Sequence, residues 1–242
     1  IYRDWKEGGH GDTNLFKAIT QSSNTYFFDL AYRSDINQLN KHLLSIGFGD
    51  KTCIDCFEED KVFVPEPSWK MNKHNFGWFK GDTVNMGVGQ GYLVSTPIQL
   101  AKYAYIIANK GNFYDLSLKK DLVKNEKSIE FNKFSNDDWF KLHESMVNVI
   151  EGNTGTARRL REKKDYIVAA KTGTAELVSG DNREQYSETR LDDSLRDHAL
   201  IIAFGPMPNP RYAVSVVVEN GESGGSVAGP VAISVLNSLI QE

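Results

Sequence analysis

Residues 198–219 carry the sequence HALIIAFGPMPNPRYAVSVVVE, which decides the fold of the C-terminal part of the chain. Its two outer stretches are short, apolar and rich in β-branched residues, a composition typical of strands. The proline-rich segment between them has turn chemistry. We therefore expect an antiparallel hairpin, with one strand over residues 198–205 and the next over residues 212–219.

A third strand and a closing helix flank this hairpin. Residues 166–172 are mostly apolar and end in the run Lys171-Thr-Gly-Thr174, which predicts a strand with a polar end. Residues 230–240 place apolar side chains at helical spacing and predict an amphipathic helix. The intervening residues 178–196 are polar and charged, so we expect a mobile loop there.

The N-terminal part predicts helices instead. Residues 15–46 have helical periodicity with one expected break, whereas residues 53–80 look irregular. Thr96-Pro-Ile-Gln99 is a helix start signal, because threonine caps, proline fits the first turn and glutamine completes a capping box. That helix should run to about Asn109, and another should span residues 135–152. Helices followed by antiparallel strands and a final helix make an α+β fold.

The composition excludes several classes of protein. The chain has 242 residues, of which 40% are hydrophobic and 25% charged, so a sizeable core is expected. Its net charge of −4 argues against a nucleic-acid partner. No apolar run is long enough to span a bilayer, and no signal peptide is visible. Since the chain starts at Ile1, we expect it to be a piece of a longer protein.

Two small groups of residues leave alternatives open. Cys53 and Cys56 predict a local disulfide, with free thiols or a metal site as the alternatives. Asp4 and His10 lie six residues apart, with Asp12 nearby. We expect solvated or helix-capping roles for them rather than a metal site, because no cysteine is close in sequence.

Two motifs carry the chemistry. Lys171-Thr-Gly-Thr174 places a positive charge and two hydroxyl groups at the end of a strand, which suits a substrate carboxylate. Gly173 has no side chain, so a peptide can approach the strand edge closely. Ser22-Ser-Asn24 presents a hydroxyl and an amide two residues apart. A helix cap or a turn would also explain this second motif.

The order of these motifs resembles the active site of the penicillin-recognising serine enzymes. Further segments resemble the class B, elongation-type penicillin-binding transpeptidases almost from end to end. These segments are Tyr2-Arg-Asp-Trp5, Gly89-Gln-Gly-Tyr92, Thr96-Pro-Ile-Gln99, Gly155-Thr-Ala157 and Arg196-Asp-His198.

The resemblance implies a β-lactamase-like fold in which helices flank an antiparallel sheet. Residues 1–242 would form part of a transpeptidase domain. Residues 1–160 would be its mainly helical part with the Ser-x-Asn motif, and residues 161–242 its sheet part with Lys-Thr-Gly and the C-terminal helix. The N-terminal strands and the helix that carries the nucleophile would be absent from this chain.

The resemblance also implies a role for each motif residue. Ser22 would relay protons to the leaving amine, and Lys171 would polarise Ser22. Asn24 would hydrogen-bond the bound acyl-amide. Thr172 and Thr174 would hold the substrate carboxylate, and the Thr174 N–H would donate to an oxyanion. No cofactor and no metal are expected.

The chain departs from the family pattern in one respect. The family uses a serine in a Ser-x-x-Lys motif well before Ser-x-Asn, and none of the 21 residues before Ser22 fits. Ser117-Leu-Lys-Lys120 matches the letters, but it falls between the other two motifs in a turn-rich segment, so we reject it. We expect the nucleophile to lie upstream and the chain alone to be inactive.

The implied function is cross-linking of peptidoglycan stem peptides, with inhibition by β-lactam antibiotics. The implied location is a periplasmic domain anchored in the bacterial inner membrane, with membrane-bound proteins of cell-wall elongation as partners. One alternative is a D,D-carboxypeptidase or a serine β-lactamase. Another is a non-catalytic module that senses β-lactams or serves as a scaffold.

Overall fold

A computed structural model of the chain describes residues 2–60, 62–120, 126–129, 134–177 and 193–241. Most of the expected mobile loop, residues 178–192, lies outside this part. The chain divides into two compact units, Ile1–Ala18 with Ser23–Trp139 and Ile19–Ser22 with Phe140–Glu242. The division into helical and sheet parts at residue 160 stays a prediction. Among the described helices, none has the length and apolar character needed to cross a membrane.

Helices dominate the first unit, and the second unit contains a three-stranded sheet. The helices are α1 (Leu15–Gln21), α2 (Asn24–Arg33), α3 (Ile36–Ser45), α4 (Pro67–His74), α5 (Lys80–Gly87), α6 (Pro97–Ala108), α7 (Asn136–Glu151) and α8 (Gly229–Gln241). The strands are β1 (Asn112–Tyr114), β2 (Glu126–Ser128), β3 (Ala169–Ala175), β4 (His198–Gly205) and β5 (Tyr212–Val218).

The expectation of one break between residues 15 and 46 is wrong, because two breaks divide this stretch into α1, α2 and α3. The first break lies at Ser22, which has a left-handed backbone with φ of 55°. The second lies before Asp35, whose side chain accepts hydrogen bonds from the Asn37 and Gln38 amides. An aspartate N-cap of this kind starts a new helix rather than continuing the old one.

The capping box predicted at α6 is confirmed. Thr96 Oγ1 accepts from the Gln99 amide at 3.3 Å, and the Gln99 side chain accepts from the Thr96 amide at 3.1 Å. The expectation that residues 53–80 are irregular is wrong at α4. Pro67 starts this helix with a preset φ, and Asn75 ends it in a left-handed conformation with φ of 57°.

The predicted disulfide between Cys53 and Cys56 is present. The loop around it is held by the Glu59 carboxylate, which accepts hydrogen bonds from the Thr52 and Cys53 amides at 2.8 to 2.9 Å. Within the described residues, the only cluster of three potential metal ligands is Cys53, Asp55 and Cys56. Both sulfur atoms of this cluster are committed to the disulfide.

The predicted hairpin is confirmed, since β4 and β5 pair antiparallel with Ala199 opposite Val218. β3 pairs on the other side of β4, so the strand order is β3-β4-β5. β3 begins at Ala169 rather than at residue 166. The register explains this difference: continuing the pairing would bring Ile167 opposite Pro206, which has no amide hydrogen to donate.

The core of the second unit lies between the sheet and the elements that cover it. A 3₁₀ helix over Arg158–Lys163 and a π-helical turn over Gly224–Ala228 precede β3 and α8, respectively. Small and branched side chains from α7, β3, β4 and α8 fill this core. Its fully or almost fully buried members are Val149, Ile150, Ala157, Leu160, Val168, Ala170, Ala199, Ile201, Ala203, Ala228, Ala232, Ile233 and Leu236.

Candidate active site

Two residues singled out from the sequence, 149 positions apart, meet in the second unit. Lys171 Nζ donates a hydrogen bond to Ser22 Oγ at 2.7 Å and a second one to the Thr172 carbonyl oxygen at 2.7 Å. In this hydrogen bond the Ser22 oxygen is the acceptor, so the hydroxyl keeps its own proton. A hydroxyl held between a lysine and a substrate is suited to proton transfer.

The backbone conformation of Ser22 is unusual for a residue with a side chain. Its positive φ places it in the left-handed region, where a residue other than glycine is strained by roughly 1–3 kcal/mol. Its amide donates to the Ile19 carbonyl at 3.3 Å, which closes a turn at the end of α1. Such strain is found at functional sites, where the surrounding structure holds a side chain in one direction.

Lys171 has a perturbed amine. Burial lowers the pKa of this amine from 10.5 to about 8, because a charged ammonium loses the hydration that it has in water. The lowered pKa lies closer to neutral pH, where the amine can both take up and release a proton. The pair Ser22–Lys171 therefore has the geometry and the basicity of a proton-relay pair.

The residues after Lys171 continue along an edge strand. In the described part of the chain, β3 pairs with β4 alone, which leaves its other side without a strand partner. Gly173 lies opposite Leu200 and Thr174 opposite Ala199. Thr174 is exposed, and its hydroxyl donates to the Glu222 carbonyl oxygen at 3.4 Å. An open strand edge of this kind can accept an extended peptide by backbone pairing.

Three residues of this region were missed by the sequence analysis as site residues. The Thr156 and Thr172 hydroxyl oxygens lie 2.7 Å apart and share a hydrogen bond. Gly224 packs against the backbone of Gly173, since a Cβ at Gly224 would lie 2.6 Å from the Gly173 carbonyl oxygen. Gly225 packs equally closely against the Thr156 carbonyl. The Gly-Thr-Ala and Gly-Gly runs were the available signals, but neither run indicates its contact partner.

Asn24 and Ser117 belong to the first unit. Asn24 is the first residue of α2 and follows Ser23, the N-cap of that helix. Its catalytic role stays a prediction. Ser117 donates to Asp55 Oδ2 at 2.9 Å and accepts from the Lys119 amide at 2.9 Å. These bonds make Ser117 part of a turn around the Asp55 carboxylate.

A buried polar cluster lies beside the start of α2. Asp4 Oδ2 accepts from the Ser23 hydroxyl at 2.9 Å, and from the Thr25 hydroxyl and amide at 2.9 and 3.2 Å. His10 Nδ1 lies 3.1 Å from the same oxygen, and the Asp4 and His10 side chains are 2% and 1% exposed. The expected capping role of Asp4 is confirmed, whereas a solvated role is wrong for both residues.

The protonation of Asp4 follows from these contacts. Burial would raise its pKa, but the hydrogen bonds from Thr25 and Ser23 and the charge of His10 together lower the pKa to about 2. The carboxylate thus stabilises the folded state above the unfolded pKa of about 4. This contribution is lost as the pH falls from about 4 to about 2.

Replacing Asp4 by asparagine should therefore lower the stability at pH 7 by about 1 to 2 kcal/mol. The variant should also lose less stability than the wild type between pH 4 and pH 2. Urea unfolding at a series of pH values measures both effects. The matched control is Asp12→Asn, which changes an exposed carboxylate. Equal pH profiles for D4N and the wild type would contradict the assignment.

Comparisons with known proteins agree with this fold. Residues 1–237 match the family model described as the penicillin binding protein transpeptidase domain. The chain therefore belongs to the penicillin-binding protein transpeptidase family. Its particular relatives are of the PBP2 type. It is 36% identical over 249 residues to the peptidoglycan D,D-transpeptidase MrdA of Haemophilus influenzae, covering 100% of this chain and 38% of that protein.

Solved structures of two relatives are similar as well. Pseudomonas aeruginosa PBP2, solved in complex with WCK 5153, is 34% identical with a TM-score of 0.84, covering 100% of this chain and 52% of that one. Helicobacter pylori PBP2, solved in complex with MreC, is 32% identical with a TM-score of 0.86, covering 99% and 42%. The predicted family and the α+β fold are thereby confirmed. The chain spans about two fifths of the length of the curated relatives that it matches.

Proposed function

We propose that the protein to which this chain belongs is a peptidoglycan D,D-transpeptidase, which cross-links stem peptides through an acyl-enzyme and is inhibited by β-lactams. The contact between Lys171 Nζ and Ser22 Oγ, beside the open edge of β3, carries the proposal. The relatives named as D,D-transpeptidases support it.

The proposed reaction begins with a serine from a segment upstream of Ile1. This serine gives its proton to the lysine of its own Ser-x-x-Lys motif as it attacks the carbonyl of the penultimate D-alanine, and that proton replaces the one that Ser22 gives away. The C–N bond breaks, and the terminal D-alanine leaves as an amine. Ser22 delivers the proton that this amine needs, and Lys171 holds the Ser22 oxygen in place. An amine of a second stem peptide then attacks the ester and gives its proton back to the departing serine.

The remaining residues position the substrate in this proposal. Thr172 and Thr174 donate hydroxyl hydrogen bonds to the terminal carboxylate, which suits groups on an exposed strand end. For Thr174 this bond replaces the long one to the Glu222 carbonyl oxygen. Gly173 leaves space for the peptide backbone along β3. Asn24 hydrogen-bonds the side-chain amide of the bound acyl group. The Thr174 amide contributes to the oxyanion hole.

We also propose the cellular setting. The chain would be a periplasmic domain of a protein anchored in the inner membrane and would act in cell-wall elongation and cell shape. Helicobacter pylori PBP2 forms a complex with MreC, and another structural neighbour belongs to a peptidoglycan synthase complex. Membrane-bound elongation proteins are accordingly the expected partners.

Covalent labelling by a fluorescent penicillin tests the function. We expect no label on residues 1–242 alone and stable label on the full-length protein, mapped by mass spectrometry to an upstream serine. Label at Ser117 of the short chain, or no label on the full-length protein, would contradict the proposal. Rapid hydrolysis of the penicillin by the full-length protein would favour a β-lactamase, and release of D-alanine to water alone would favour a carboxypeptidase.

A further inference from the structure

We propose that Thr156 is a positioning residue, which donates its hydroxyl proton to Thr172 and so directs the Thr172 proton at the substrate carboxylate. This inference rests on the proposed function, because it assigns a carboxylate to Thr172. It concerns a residue outside the three active-site motifs, on the segment between α7 and the 3₁₀ helix.

The hydrogen bond between the two hydroxyl groups can run in either of two directions. Their oxygens are 2.7 Å apart, and either one can be the donor. A hydroxyl has one proton to donate and two lone pairs to accept with. If Thr172 donated to Thr156, it would have no proton left for a substrate. If Thr156 donates to Thr172, the Thr172 proton is available for a carboxylate.

The chemistry of the ligand selects the second arrangement. An ionised carboxylate can only accept hydrogen bonds, so it draws the Thr172 proton toward itself. The Thr172 oxygen then accepts from Thr156, and the two bonds run in the same direction. Consecutive hydrogen bonds of this kind polarise and strengthen each other. Among the described residues, neither hydroxyl has another hydrogen-bond partner that competes with these two hydrogen bonds.

Thr156 is held firmly enough to orient another side chain. Its amide donates to the Thr20 carbonyl at 3.4 Å, two residues before Ser22, and the Thr20 hydroxyl donates to the Ser145 carbonyl at 3.1 Å. The next residue, Ala157, is buried and donates its amide to the Val149 carbonyl at 2.9 Å. The branched threonine side chain adds its own preference for one rotamer.

The two glycines beside Thr156 permit this close packing. A Cβ at Gly155 would lie 2.2 Å from the Val149 carbonyl oxygen, and a Cβ at Gly225 would lie 2.5 Å from the Thr156 carbonyl oxygen. Neither position can accommodate a side chain. Thr156 therefore connects the turn that carries Ser22 with the strand that carries Thr172, through one backbone and one side-chain hydrogen bond.

The test compares two ligands on the full-length protein, benzylpenicillin and its methyl ester, which lacks the carboxylate charge. We expect Thr156→Val to slow acylation by benzylpenicillin about five- to ten-fold, as for one hydrogen bond to a charged group. Acylation by the methyl ester should stay within about two-fold of the wild type. Thr156→Ser keeps the hydroxyl and should restore the preference for the free acid.

The same substitution two residues earlier serves as the control. The Thr154 hydroxyl accepts from Gln21 at 3.0 Å rather than from the Thr172 side chain, so Thr154→Val should leave the ratio of the two rates unchanged. Equal slowing of both ligands by T156V would show a merely structural role and overturn the inference, as would unchanged rates with both ligands. A wild-type protein that takes no label would instead overturn the proposed function.

Discussion

Replacing Lys171 by methionine is expected to slow penicillin acylation of the full-length protein by about 10² to 10⁴-fold, the range of a lost proton-transfer group. Methionine keeps a similar length and apolar stem but removes both hydrogen bonds that the amine donates, to Ser22 Oγ and to the Thr172 carbonyl oxygen. Stopped-flow or gel-based measurement of the acylation rate gives the effect directly. A rate within ten-fold of the wild type would contradict the proton-relay role.

The stability of the same variant should behave differently from its activity. Burial lowers the pKa of Lys171 to about 8 in the folded state, against 10.5 for an unperturbed lysine. Between pH 8 and pH 10.5 the unfolded state therefore binds more protons, and wild-type stability rises with pH. Below pH 8 the folded state carries the full cost of a poorly hydrated charge.

K171M removes that cost, so it should be as stable as the wild type at pH 7 or more stable by about 1 to 3 kcal/mol. The difference between the two proteins should shrink as the pH rises from 8 to 10. The tyrosines titrate in both proteins, so their contribution cancels when only the difference in unfolding free energy is compared. Lys163→Met, at an exposed lysine, is the control for loss of a positive charge.

Replacing Gly224 by alanine is expected to give the largest loss of stability, about 2 to 4 kcal/mol or more. A Cβ at this position would lie 2.2 Å from the Leu200 carbonyl oxygen and 2.6 Å from the Gly173 carbonyl oxygen. Both atoms belong to paired strands, so neither can move without disturbing the β3–β4 ladder. Thermal unfolding by circular dichroism measures the loss, and penicillin labelling should fall in the fraction that remains folded.

Gly81→Ala is the matched control for this substitution. Gly81 lies inside α5, and a Cβ there would meet only the Tyr2 hydroxyl at 3.6 Å. Since alanine is favoured over glycine in a helix by up to about 1 kcal/mol, this variant should be unchanged or slightly more stable. A G224A protein with the melting temperature of the wild type would show that the π-helical turn does not pack on β3 as described.

Local patterns predicted the parts of the fold that depend on neighbours in sequence. The β4–β5 hairpin and the α6 capping box were predicted because their signals lie within a few residues of each other. The start of β3 was misplaced because it depends on register, in which Pro206 lies across from Ile167. Only one of the two breaks between residues 15 and 46 was predicted, because the break at Ser22 depends on the left-handed backbone of a single residue, which no sequence pattern indicates.

The candidate site could likewise be predicted only in part from the sequence. The Lys-Thr-Gly and Ser-x-Asn motifs were recognisable from residue types and order, and Lys171 and Ser22 do meet. The hydrogen bond between Thr156 and Thr172 was not predictable, since it depends on how the chain turns between them. The packing of Gly224 on Gly173 joins residues more than 50 positions apart, and a glycine does not indicate in the sequence which backbone approaches it.

Because Cys53 and Cys56 are joined by a disulfide, this protein can be prepared in an oxidised or a reduced form. A preparation recovered from a reducing cytosol would carry two thiols, whereas an exported preparation would carry the bond. The two forms share one sequence but differ by two hydrogen atoms in the loop where Glu59 binds the Thr52 and Cys53 amides. Oxidation state is thus a variable to be fixed, alongside pH and salt, whenever two preparations of this protein are compared.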